Sequence, residues 1–292
     1  MSAPYEKEEY LKQESLRQKA VARKLDIIPC FSYWADICGF GNTLSKNNWN
    51  IKDVNDSGVL SILSDVYTMY SNVRLSGVDP MPYDVSLILN DGIAKSIDLN
   101  RIDLLDATML VFFIRDLIFT HWHLLKNTKE YNLSIRSVIS IGERTEYSIS
   151  TMTGNSILFH DEKNISDFGK KMLETTYVYN PVKFQMNTAF AKAFTIESMG
   201  TEYGIQIGGF YIDTNFFSVF EKVKGLSIKK EANEFNLILN GVKVISISCE
   251  DKFSIDCKGI KVCVNRIRNM HIYKELDGDD VMVDLIDLEK NV

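Results

Sequence analysis

The 292 residues hold no surplus of positive charge, no paired-cysteine motif, no zinc-type histidine spacing and no long apolar run free of charge. Each absence excludes a class. With 33 Lys and Arg against 39 Asp and Glu, the formal net charge is -6, the wrong sign for a protein that coats nucleic acid. Such a chain can still bind a nucleotide, because metal ions bring their own local positive charge. The five cysteines (Cys30, Cys38, Cys249, Cys257 and Cys263) form no CxxC pair. An odd number of scattered thiols predicts reduced cysteines and a cytoplasmic location. The four histidines include no HExxH. His121 and His123, two apart, project differently from a helix and read as packing residues. The polar stretch 1–23 predicts neither a secretory leader nor a membrane anchor. The most apolar window, 104–125, carries Asp106, Arg115, Asp116, His121 and His123, which predicts a buried helix and no membrane span. There is no internal repeat and no low-complexity tract.

What is present is a hydrophobic fraction of 45%, enough for a sizeable core. Residues 2–24 alternate charge with Tyr10, Leu11, Leu16, Ala20 and Val21, predicting an amphipathic helix packed on a neighbour. A strand follows from Ile27 and ends in the glycine turn of Trp34-Ala35-Asp36-Ile37-Cys38-Gly39-Phe40-Gly41. Leu60, Leu63, Tyr67 and Tyr70 space a helix over 58–74, and 77–82 is a loop. Val85 to Leu89 reads as a buried strand, broken by Asn90-Asp91-Gly92, with Ile93 to Ile97 as its hairpin mate. After the 104–125 helix, Ile135 to Ile141 is a strand, 147–159 is strand-like, 167–175 is a short helix, and Asn187 to Glu197 is an alanine-rich helix. Beyond Gly200 the chain turns β-rich, with a hairpin at Asn240-Gly241 and a strand over 260–264. This β-rich third is either the closing edge of the same sheet or an appended subdomain. The order predicts an α/β (α+β) sandwich, one mostly antiparallel sheet with helices packed on it. The predicted segments are an N-terminal helix (1–25), a core (26–200) and the β-rich part (201–292).

Two carboxylates stand out. Asp36 lies at a strand end before a glycine turn, where a carboxylate can hold a divalent cation while turn N–H groups face phosphate. An aspartate there can equally cap its own turn. Asp91 also sits at a strand-to-turn junction, although Asn-Asp-Gly is by itself a common hairpin turn. Buried strand ends that each present one carboxylate suit chemistry in which a hydroxyl is activated and phosphate charge is neutralised.

Asp36-Ile37-Cys38-Gly39-Phe40 resembles the Asp-Ile-x-Gly-Phe signature of the class III adenylate and guanylate cyclases. The resemblance continues in order. Leu89-Asn90-Asp91-Gly92 is similar to the family's second metal-aspartate turn. Ile135 through Gly142-Glu143 is similar to its next core strand. Tyr179-Asn180-Pro181 through Met186-Asn187-Thr188-Ala189 resembles the base-reading and catalytic-asparagine segment. Cys257-Lys258-Gly259 resembles a late lysine-glycine hairpin that contacts phosphate. Together these matches span residues 30–265.

The resemblance implies a nucleotidyl cyclase that makes a 3′,5′-cyclic monophosphate and pyrophosphate with two divalent ions, Mn²⁺ or Mg²⁺. Asp36, Asp91 and the Ile37 carbonyl would be metal ligands. Asn187, Lys192 and Lys258 would be catalytic, and Asn180, Gly39 and Phe40 would bind substrate. Three positions depart from the family pattern. The expected phosphate arginine is Ala191, next to Lys192. The expected purine-selecting lysine is Leu87, and the adenine-reading aspartate is Asn180. In lacking purine determinants the chain looks like the bacterial pyrimidine cyclases of Pycsar-type antiphage defence, whose cyclic CMP or cyclic UMP triggers a separate effector protein. That resemblance implies CTP or UTP as substrate, the class III resemblance implies a homodimer with composite sites, and the composition predicts neither nucleic acid nor membrane as partner. Three other readings are open. They are a catalytically inactive cyclase-like module for nucleotide binding or dimerisation, a diguanylate-cyclase or polymerase palm (no Gly-Gly-Asp-Glu-Phe run occurs), and a plain α/β scaffold.

Overall fold

The structure, a computed structural model, describes residues 8–71, 85–99, 106–148, 151–153 and 167–286. It divides into two compact units. One comprises residues 1–29 with 143–188, and the other 30–142 with 189–292.

The larger unit is built on an 11-stranded sheet. Its strands are β1 (Ile27–Cys38, entering from the smaller unit), β2 (Val85–Leu89), β3 (Gly92–Asp98), β4 (Ser134–Thr145), β7 (Phe210–Asp213), β8 (Leu226–Glu231), β9 (Glu234–Leu239), β10 (Val242–Cys249), β11 (Phe253–Cys257), β12 (Ile260–Ile272) and β13 (Val281–Asp284). The order across the sheet is β2-β3-β1-β4-β7-β12-β10-β9-β8, with β11 and β13 also pairing with β12. The hairpins are antiparallel, whereas β4 and β7 run parallel. The β-rich last third is therefore a continuation of the sheet that carries Asp36, joined through β7 and β12. The hairpin at Asn240-Gly241 forms as its sequence dictates, both residues taking positive φ (50° and 87°) in a two-residue turn.

Alternation along β1 sorts its side chains onto two faces. Phe31, Tyr33, Ala35 and Ile37 enter the hydrophobic core together with α4 (Val59–Ser71) and α5 (Ala107–Thr128). Before α4 come two short helices, α2 (Phe40–Lys46) and α3 (Ile51–Asp56). The window that is apolar yet carries charge is α5, started by the Asp106 side chain accepting from the Met109 N–H. The stretch Ala107–Tyr131 is long and apolar enough to cross a membrane by length and composition, and 61% of its most apolar window is buried in the protein. The predicted loop at 77–82 lies outside the described residues.

The core face carries a buried polar chain. The Tyr70 and Tyr33 hydroxyls meet, Tyr33 Oη lies 2.8 Å from Ser137 Oγ, Ser137 Oγ lies 2.8 Å from His121 Nδ1, and His121 Nε2 lies 3.0 Å from the Gly208 carbonyl. The carbonyl can only accept, so Nε2 carries the proton and Nδ1 accepts from Ser137. Ser137 then accepts from Tyr33, and Tyr33 from Tyr70. Every group is satisfied once, which is what a dry interior demands. Burial pushes the His121 imidazole down to about 4, against a smaller opposite pull from the Gly208 carbonyl.

The smaller unit holds α1 (Glu8–Val21), β5 (Thr151–Thr153) paired with β6 (Thr176–Tyr179), and α6 (Asp167–Glu174). The N-terminal helix forms, but Tyr10, Leu11 and Val21 are exposed, so its apolar residues do not pack as the sequence predicts. Of the predicted 147–159 strand, only Thr151–Thr153 is strand among the described residues.

The buried imidazole makes stability depend on pH with a definite sign. Its folded value lies below that of an unfolded histidine, near 6.5, so the unfolded chain binds the extra proton between about 4 and 6.5. His121 therefore contributes its full stability above pH 6.5, and up to about 3 kcal/mol of it is lost as pH falls to 4. His121→Asn is expected to lower stability by about 2–3 kcal/mol at pH 7. That gap should narrow steadily between pH 6.5 and 4 in urea denaturation, and a constant gap would refute the assignment.

Candidate active site at the end of strands β1 and β3

The opposite face of β1 presents Trp34, Asp36 and Cys38. In the β1–β3 ladder, Asp36 stands across from Gly92, and the Ile37 N–H donates to the Asp91 carbonyl at 3.0 Å. Asn90 and Asp91 form the two-residue turn between the paired residues Leu89 and Gly92. Pairing therefore brings the two sequence-predicted carboxylate positions, 55 residues apart in the chain, to one end of the sheet. A larger residue at 92 would have to displace the Trp34 indole, since a Cβ there would lie 2.1 Å from its Cη2. Tyr67 on α4 donates its hydroxyl to the Asn90 carbonyl, and burial, then the Asp91 charge, raise its phenol above the usual value.

This face is covered by α7 (Thr188–Ser198). Phe190 and Phe194 meet the Trp34 ring edge-on, with centroids 5.8 and 5.2 Å away. Glu197, 4% exposed, accepts from Arg136 of β4 at 2.7 Å (Nε) and 2.5 Å (Nη2), and from Trp34 Nε1 at 3.3 Å. Oxygen atoms of Asp36 and Glu197 and the Cys38 sulfur lie within 4.8 Å of one another. Burial first, then the charges of Glu197 and Asp91, push the Asp36 carboxyl up to about 7, while Arg136 pulls the other way.

Asp36 and Glu197 thus share one guanidinium in a half-dry site, and the Asp91 charge is near enough to act on Asp36. That surplus of negative charge is what a hard divalent cation relieves, and carboxylate oxygens are the donors that Mg²⁺ and Mn²⁺ take. The residues fit such an ion. Cys38 offers a sulfur, a softer donor than such an ion prefers, and burial pushes its thiol up to about 12.

The other sequence-predicted residues lie as follows. Ile37 has its side chain in the core. Gly39, at φ 94°, caps the start of α2, and the Phe40 ring is buried in the core. Lys192 reaches from α7 to Asp213 at the end of β7, 3.4 Å away. Asp213 is 1% exposed and also accepts from Ser140 Oγ at 3.5 Å and the Asn215 N–H at 3.0 Å. The pair lines a cleft of about 560 Å³ with Thr214, Asn215, Ser254 and Lys261. Lys258, exposed at φ 50°, begins the β11–β12 turn.

Asn180 and Asn187 belong to the smaller unit. The Asn180 amide donates to Ser148 Oγ, to which Gln185 Nε2 also donates at 3.0 Å, while the Asn187 amide donates to the Lys183 carbonyl at 2.7 Å. Ala191 is exposed and Leu87 half-buried. The sequence reading missed Trp34, Arg136, Glu197, Tyr67 and Asp213. Only Trp34 carried a signal, since it shares a strand face with Asp36 two residues away.

No protein family and no curated protein sequence matches this chain. Solved structures of similar architecture include the guanylyl cyclase Cya2, 14% identical over 84% of this chain and 93% of that one, TM-score 0.45. Another is the catalytic core of a rhodopsin-guanylyl cyclase with converted specificity, bound to ATPαS, 12% identical over 84% and 97%, TM-score 0.42. A third is a bacterial light-regulated adenylyl cyclase, 9% identical over 96% and 67%, TM-score 0.43. With identities and scores this low, the likeness assigns no role to any residue.

The buried ion pair can be tested directly. Arg136→Met leaves the Glu197 carboxylate without its guanidinium and is expected to cost about 3–5 kcal/mol. Adding Glu197→Gln should restore most of that loss. Denaturant midpoints that are the same for the single and double variants would refute the coupling.

Proposed function

We propose that this chain is a nucleotidyl cyclase, with Asp36 and Asp91 as the carboxylates of its cation centre. The observation that carries the reading is the ladder register that sets Asp36 opposite Gly92 and ties the Asp91 carbonyl to Ile37. Cyclisation forms the O3′–Pα bond, breaks the bond from Pα to pyrophosphate and releases the hydroxyl proton. Bound divalent ions, Mg²⁺ or Mn²⁺, would supply charge neutralisation on the phosphates and activation of the hydroxyl. The chain's own part is to hold Asp36 and Asp91 on rigid strand ends, with the Ile37 carbonyl as a further ligand. Trp34, Phe190 and Phe194 help to exclude water from one side of Asp36. Gly39 and Phe40 shape the turn that follows β1.

The finer reading takes CTP or UTP as substrate, because Leu87 and Asn180 replace purine-reading groups and an amide offers both donor and acceptor to a pyrimidine edge. In that reading a homodimer pairs Asp36 and Asp91 of one protomer with Asn180 and Asn187 of the other, and Lys192 and Lys258 act on the phosphates. Its cyclic nucleotide acts as a signal to a separate effector in antiphage defence. The domain boundaries follow the same reading, with a core over 26–200 completed by 201–292, a helical segment before it, and a cytoplasmic location.

A second reading, a catalytically inactive cyclase-like module, is favoured by one set of contacts. Lys192 is paired with Asp213, the Asn187 amide is spent on Lys183, and Ala191 offers no cation.

Purified protein incubated with each of the four nucleoside triphosphates and Mn²⁺ decides between the two. Cyclic CMP or cyclic UMP with stoichiometric pyrophosphate is expected, and both are expected to vanish in Asp36→Ala and Asp91→Ala, each still folded by circular dichroism. Full turnover in either variant rejects the carboxylate pair, and faster turnover of ATP or GTP rejects the pyrimidine preference.

The composite site predicts complementation. Asp36→Ala and Asn187→Ala should each be inactive, yet their mixture after subunit exchange should recover about a quarter of wild-type activity, since half the dimers carry one intact site of two. Heterodimers seen by mass spectrometry without recovery would place the whole site on one chain.

A further inference from the structure

We propose that Tyr67 is a positioning residue for Asp91, its hydroxyl fixing the β2–β3 turn so that the Asp91 carboxylate is presented beside Asp36. The proposal rests on the carboxylate-and-cation reading above and adds a residue that reading does not contain.

Direction in a side chain is set by the backbone that bears it, and the Cα–Cβ vector of Asp91 is set by the two peptide planes on either side of its Cα. The plane after Asp91 is fixed by the sheet, because its carbonyl accepts from the Ile37 N–H of β1 at 3.0 Å. The plane before it, between Asn90 and Asp91, has no such partner in the ladder, because it is the central peptide of a two-residue turn. In turns of this length the central peptide has two orientations related by a flip, and both leave the flanking strands in register. Asn90, at φ 52°, occupies the left-handed region that such turns require. The Tyr67 hydroxyl donates to the Asn90 carbonyl and so selects one orientation.

The helix that delivers the phenol is itself held. Val66 and Tyr70 of α4 are 0% and 2% exposed, and the Tyr70 hydroxyl meets that of Tyr33 on β1, three residues before Asp36. Two phenols one helical turn apart thus tie α4 to the middle of β1 and to the β2–β3 turn. A donor placed on a rigid element in this way holds its acceptor within narrow limits. Tyr67 is half-buried, and its ring packs on the core. Removing the hydroxyl alone therefore keeps the packing and takes away the hydrogen bond.

The test uses the full chain stripped of metal and titrated with Mn²⁺, following free Mn²⁺ by electron paramagnetic resonance and, in parallel, the thermal midpoint. Tyr67→Phe is expected to raise the Mn²⁺ midpoint about 10-fold, the usual effect of losing a group that orients a ligand, with little change in metal-free Tm. In turnover, the Mn²⁺ activation midpoint should move by the same factor, while KM for nucleotide at saturating Mn²⁺ stays put. Tyr70→Phe, which breaks the buried chain instead, should lower Tm and leave the Mn²⁺ midpoint where it is. An unmoved midpoint in Tyr67→Phe, whatever its Tm, alongside a midpoint raised 10-fold or more in Asp91→Asn, overturns the positioning role alone. An unmoved midpoint in Asp91→Asn overturns the cation reading and this proposal with it.

Discussion

The register between β1 and β3 is the constraint on which the site depends. A strand repeats every two residues, so a slip of one position would turn every side chain of β1 to the other face. Phe31, Tyr33, Ala35 and Ile37 would leave the core, and Trp34, Asp36 and Cys38 would enter it. The apolar set enforces the register, and the register then places Asp36 across from Gly92 and beside Asp91. Core packing thus fixes the carboxylates although none of them contributes apolar area to it. The glycine is part of the same constraint, because the Trp34 indole occupies the space where a Cβ would stand.

The two faces of this sheet handle polarity in opposite ways. On the core face, the chain from Tyr70 to the Gly208 carbonyl uses each hydrogen once and carries no charge. Its cost is a histidine that must stay neutral. On the α7 face, charge is kept and arranged: Glu197 is paired with Arg136, whereas Asp36 is driven up by burial first and then by the charges of Glu197 and Asp91. A buried pair such as Arg136–Glu197 adds little net stability when intact and costs much when broken. It therefore acts as a fixed support for α7 over Asp36.

In the proposed reading, cyclase chemistry would find some of its groups ready and others engaged. Asp36 and Asp91 have their carboxylates at strand ends, whereas Lys192 has its ammonium committed to Asp213 and the Asn187 amide is committed to a carbonyl four residues back. Turnover would require those partners to be exchanged for substrate, since each contact uses the donor that substrate would need.

Much of the fold was legible in the sequence because it is written in local periodicity. Short apolar runs closed by turn signals marked β1, β2 and β3, alternation marked β4, Asn240-Gly241 marked the β9–β10 hairpin, and the spacing of Leu60, Leu63, Tyr67 and Tyr70 marked α4. Asp36 and Asp91 could be picked out because each stands at a strand-to-turn junction marked by glycine. The N-terminal helix was legible too, but its burial was not, since amphipathicity records a preference and no partner. Only the tertiary structure decided that the last third extends the same sheet, because strand order is a matter of long-range pairing. It alone brought Glu197 to Asp36 and Arg136, Asp213 to Lys192, and the Tyr67 hydroxyl to Asn90. Those contacts join residues at least 21 positions apart, a separation over which no local pattern in a chain carries information.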